Sequence, residues 1–186
     1  MDWLPADHLV YFLLDVVGEM DLRAIEAKLQ CKDPRGTRPY PPQMMVALLL
    51  YGYCVGVLSS RKLEKGTYED VALRVLAGGH HPDHTRISEF RRQHLEALQE
   101  LFLQVLKLCH KAGLVKLGHV ALGRKLYARR KTIVEPVFGQ MKECRAFRRF
   151  LLRGLLKVAG EWSLVSTGHN LLKLYRATWK QTIGRA

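Results

Sequence analysis

Between Arg38 and Arg61 the chain runs for twenty-two residues without a charge, PYPPQMMVALLLYGYCVGVLSS, although a quarter of all its residues are charged. A stretch this apolar cannot be left in water, so it is either a membrane span or a helix at the middle of a core. Its ends are Pro, Gln and Ser, and the dense apolar part, Met44 to Leu58, is shorter than the roughly 20 residues that cross a bilayer. The expectation is therefore a buried core helix from Pro42 to Val57, entered through the prolines, broken by Ser59 and Ser60, and carrying no membrane partner. Gly52-x-x-x-Gly56 within it has the small-residue spacing that lets a neighbouring helix approach closely.

The remaining apolar periodicity is almost all helical. Leu9, Phe12, Leu13, Val16 and Val17 share one helix face, and Asp21 reads as the N-cap of a second helix carrying Leu22, Ile25 and Leu29. A short helix is expected over Arg61 to Lys65. Thr67-x-x-Asp70 then resembles a capping box opening a helix that Gly78 and Gly79 end. Thr85 to Ala112 reads as one long helix stopped by Gly113, with Arg86, Arg91 and Arg92 beside Thr85, Ser88 and Gln93 near its start. Short helices followed by an Arg-bearing one suggest a helix-turn-helix-like DNA reader, and a bundle helix with a solvated basic face is the competing reading. LVKLGHVAL, Leu114 to Leu122, alternates like a strand, yet no second strand follows to pair with it. The fold class expected is mainly α, with a helical part over 1–113 and a different texture over 114–186.

Charge points to the partner. The chain has thirty Lys and Arg against seventeen acids, a formal charge of +13, and a pI near 9.9, as expected of a nucleic-acid-binding protein. From Gly123 onward fifteen Lys and Arg face three acids, Glu135, Glu143 and Glu161, whereas Met1 to Gln30 is net negative. Arg129, Lys131, Arg145, Arg148, Arg149 and Arg153 in that segment are candidate contacts to double-stranded DNA, alongside Arg86, Arg91 and Arg92. Glu135 sits inside the basic run. A carboxylate among cations suits phosphodiester chemistry, because it can ligate a divalent ion while its neighbours hold the polyanion.

Other chemistries find little support. Ser59-x-x-Lys62 lacks the companion elements of serine acyl enzymes, and neither a Walker loop nor GxGxxG is present. His80, His81, His84, Cys109 and His110 could in principle ligate zinc, but no cysteine pair supports it, and a His-rich turn before a helix is the simpler account. Four cysteines without CxxC spacing and an acidic N-terminus suggest a cytoplasmic, nucleoid-associated chain.

The segments LPADHLVYFLLDVV, PPQMMVALLLYGYCVGVLSSRKLE, GHHPDHTRISEFRR and RRKTIVEPVFGQMKECRAFRRFLLRGLLKVAGEW occur in an order that resembles the DDE transposases of bacterial insertion sequences. The resemblance implies that Glu135 is the last acid of the catalytic triad, that Tyr127, Arg130 and Lys142 accompany it, and that the C-terminal helices are left from an RNase H-like α/β domain. It also implies magnesium as the family's metal, activating water and a 3′-hydroxyl. Here, however, Leu122 is followed directly by the C-terminal segment, and no Asp occurs after Asp83. The resemblance therefore implies an internally deleted transposase that binds DNA at element ends and does not cut it. Glu135 would then hold a metal only if another chain complements it. A helical protein that inhibits full-length transposase by mixed assembly, and a homo-oligomer or partner-complemented enzyme, are the alternatives.

Overall fold

The computed structural model describes residues 4–30, 39–114, 139–143, 147 and 150–183. They form eight longer helices: α1 Leu9–Glu19, α2 Arg23–Gln30, α3 Pro42–Val55, α4 Ser60–Glu69, α5 Val71–Leu76, α6 His84–Gln93, α7 Leu95–Lys111 and α8 Leu155–Ile183. A further helical turn covers 139–143, and no strand occurs among the described residues. The chain is mainly α, as its periodicity predicts. Most of LVKLGHVAL, the expected strand, lies outside the described residues.

The uncharged run becomes the central helix. Every side chain from Met44 to Cys54 on α3 is buried, with α1, α5 and α8 packed around it. At about 1.5–3 kcal/mol for each fully buried large aliphatic side chain, residues such as Leu48, Leu49 and Leu50 make α3 a large source of hydrophobic stabilisation. Pro41 and Pro42 open it, and Gly56, left-handed at φ 85°, closes it by sending its N–H to the Gly52 carbonyl. Gly52 does provide a close approach, since a Cβ there would meet the Val57 carbonyl oxygen and Leu63 of α4. Gly56 serves instead as the helix stop. No single described helix is long and apolar enough to cross a membrane; α3 and α4 would pass only as a pair, and they are bent by 100°.

Two sequence expectations need correction. Thr67 does not cap a helix; it lies inside α4, donating to the Glu64 carbonyl. Asp70 is the cap, ending α4 and accepting the N–H groups of Ala72 and Leu73 at the start of α5. The expected helix over Thr85 to Ala112 is two, α6 and α7, kinked at His94 (φ −108°, ψ 21°), which puts the His94 ring in the core against Phe90. The longest helix is α8, which packs along α7 and α3.

One hydrophobic cluster spans both sequence parts, joining Leu13, Leu49, Leu98 and Val105 to Leu164, Val165 and Leu171 of α8. Gly160 and Gly168 allow the contact, because a Cβ at either would meet Leu95 or the Tyr53 backbone. Polar contacts fix the register. The Tyr175 hydroxyl donates to the Asp7 carbonyl at 2.6 Å, and the Cys54 thiol to the Gly168 carbonyl at 3.4 Å. Phe147 and Phe150, ahead of α8, form an aromatic trio with Trp162 of α8, with centroids 5.2–6.5 Å apart.

Candidate nucleic-acid interface

Helix α6 is divided lengthwise by the chemistry of its side chains. Ile87, Phe90 and Arg91 are buried, while Thr85, Arg86, Ser88, Arg92 and Gln93 are exposed. At 100° per residue those exposed side chains, with half-buried Glu89, cover nearly half the circumference without an apolar interruption. All of them can donate or accept hydrogen bonds, the property needed to read base edges in a major groove. Asp83 fixes where the helix starts: its carboxylate accepts the Arg86 N–H at 2.9 Å, and that bond holds the carboxyl below its ordinary pKa.

Arg91 does not belong to this face. It is 4% exposed, donates to the Leu58 carbonyl at 3.1 Å, and lies 5.7 Å from the centre of the Tyr53 ring. Its position is the corrected one for a residue expected at DNA, and the spacing explains it: Arg91 follows Ile87 by four residues, on the apolar stripe. Around it, burial pushes the Tyr53 phenol up to about 12, Arg91 opposing and Glu161 reinforcing the shift. Glu161 is fully buried and accepts the N–H groups of Leu151 and Leu152 at 2.9–3.1 Å.

The start of α6 is tied to α4 through the His-rich turn. His84 Nδ1 lies 2.8 Å from the Glu64 carboxylate, His81 Nδ1 lies 3.1 Å from the Thr67 hydroxyl, and the His81 ring stacks on Tyr68 at 4.0 Å. These histidines position two helices. Among the described residues no three His, Cys, Asp or Glu side chains converge as a metal site, and Cys109 is buried against the Asn170 carbonyl.

Of the candidate residues beyond α7 the structure describes Lys142 and Arg153, both exposed. Tyr127, Arg129, Arg130, Lys131, Glu135, Arg145, Arg148 and Arg149 lie outside the described residues. Among the described residues, Glu161 accepts backbone N–H groups and Glu143 belongs to no cluster of three or more metal-ligating side chains. Sequence reasoning also passed over the outer face of α4, where Arg61, Lys62 and Lys65 are exposed together with Tyr68. Their spacing within one helix was the available signal.

Two family models match this chain. One, described as a transposase domain (DUF772), matches residues 1–93, which contain α1 through α6. The other, described as a transposase DDE domain, matches residues 110–175, including most of α8. No curated protein and no solved structure matches it.

Proposed function

The chain belongs to the transposase family that the DUF772 domain defines, and on that premise we propose that it is a DNA-binding transposase derivative without strand-cleaving activity. The observation that carries the reading is the exposed polar half of α6, started by Asp83 and bearing Arg86 and Arg92. Arg can reach guanine edges bidentately, and Ser, Thr and Gln can complete a base-reading set. Arg129, Lys131, Arg145, Arg148, Arg149 and Arg153 add cations for phosphates, on double-stranded DNA such as element ends. The partition into 1–113 and 114–186 is one of descent, a DNA-binding part and a remnant of a catalytic domain, within one packed core.

The sequence supports the proposed inactivity. A transposase of the DDE type holds two divalent ions on three carboxylates, and this chain has no Asp beyond Asp83 to stand with Glu135. Tyr127, Arg130 and Lys142 would then flank an incomplete site, and magnesium would be held only in an assembly with another chain. A cytoplasmic, nucleoid-associated location is the corresponding expectation in the cell.

A second reading has its own observation. Leu155 and Leu156, 87% and 82% exposed, stand beside exposed Phe150 and Leu151 at the start of α8. Such a patch suits mixed assembly with full-length transposase. Duplex-binding isotherms across a salt series, on the chain alone and with a full-length relative, separate the two. Salt-sensitive binding by the chain alone supports the first reading, and binding that requires the relative supports the second.

A further inference from the structure

We propose that the outward face of α4 is a phosphate-binding surface, supplying the sequence-independent part of DNA affinity while α6 supplies the reading. This rests on the DNA-binding reading above and assigns a role to residues outside it. Helix geometry places Tyr68, Arg61, Lys65 and Lys62 along one arc of α4, with Glu69 between the two lysines, opposite buried Leu63 and Thr67. Of the three acids near them, Glu64 is turned to His84 at 2.8 Å and Asp70, at the end of α4, accepts the N–H groups that start α5, which leaves Glu69, 3.5 Å from Lys65, on the exposed arc. Three cations against one acid make the arc complementary to a polyanion.

The arc is continuous with the α6 face. Tyr68 stacks on His81 and Glu64 bonds His84, so the Tyr68 edge of α4 adjoins the first turn of α6. The chemistry of the two helices differs in the way that DNA binding requires. The two lysines suit phosphates as point charges on flexible stems and the Arg61 fork suits phosphate oxygens, whereas α6 adds hydroxyl and amide groups to its guanidinium groups in fixed helical register. The 100° bend at Gly56 turns α4 away from the buried α3 and leaves its basic side uncovered by described residues.

The test uses the full chain with Arg61, Lys62 and Lys65 all changed to Ala, titrated with a random 20-base-pair duplex and with a duplex selected from a random pool, from about 50 to 300 mM salt. The expected result is an affinity loss of about tenfold or more on both duplexes, with the salt slope reduced by about two to three units and the selected-to-random ratio unchanged. Glu69→Gln, which frees Lys65, should move affinity the opposite way. All four positions are exposed, so the circular dichroism melting curve should be kept. An unchanged slope, with binding still lost on Arg86→Ala and Arg92→Ala, would overturn the α4 assignment and leave the α6 reading standing. Absence of duplex binding by the unaltered chain would overturn both, and binding only to phosphatidylserine vesicles would assign the face to a membrane surface instead.

Discussion

A Cβ placed on Gly168 would stand 3.0 Å from the carbonyl carbon of Tyr53, so α8 crosses α3 with backbone almost against backbone. A helix matched by the transposase DDE domain thus closes the core of the part matched by the DUF772 domain. Gly168→Val should lower stability by about 1–3 kcal/mol, since overpacking here must move main chain rather than a side-chain tip. Urea denaturation measures it, and an unchanged midpoint would mean that α8 does not seat on α3 in this way.

The Glu161 carboxylate holds the turn at Leu151 and Leu152 onto α8. Glu161→Ala leaves two backbone donors without their acceptor and should cost about 1–3 kcal/mol for each one buried. Glu161→Gln keeps one acceptor oxygen and should cost less. Hydrogen exchange at the Leu151 and Leu152 amides reads the same event locally, with protection falling in the order native, Gln, Ala.

Tyr51 and Tyr53 are both pushed up to about 12, chiefly by burial, while an unfolded chain ionises its tyrosines near 10. The sign is that of a raised pKa: stability is fully present below pH 10 and is lost as pH rises towards 12, because the unfolded state releases its protons first. The Tyr53 hydroxyl has no hydrogen-bond partner among the described residues. Tyr53→Phe should therefore be close to neutral at pH 7 and should make the alkaline loss shallower, as thermal melts at pH 7, 10 and 11 would record.

The central helix was legible because an uncharged run bounded by prolines and a glycine admits few alternatives. Capping was only half legible. Thr67 and Asp70 have the residue types of a cap, but their spacing does not reveal that Asp70 serves the next helix. At His94 the hydrogen bonds continue from Phe90 through to Leu98, so the kink leaves no mark in the apolar periodicity. Arg91 has the charge of a DNA contact, but its four-residue spacing from Ile87 puts it on the buried stripe. The docking of α8 on α3 and α7 depends on Gly160 and Gly168, whose neighbours are distant in sequence.

Purified chain is expected neither to nick nor to join duplex DNA in magnesium or manganese, because three carboxylates are needed to hold two ions and Glu135 alone resembles one of them. A plasmid-relaxation assay checks this. Relaxation that disappears on Glu135→Gln would show a complete site after all.

The central claim is that α6 reads DNA with its exposed face, and it is tested most directly by the ratio of affinities for selected and random duplexes in Arg86→Ala, Arg92→Ala chain. The account predicts that the ratio falls about tenfold or more, each lost base contact being worth about 1–3 kcal/mol. Equal losses on both duplexes, leaving the ratio unchanged, would contradict it and reduce Arg86 and Arg92 to phosphate contacts.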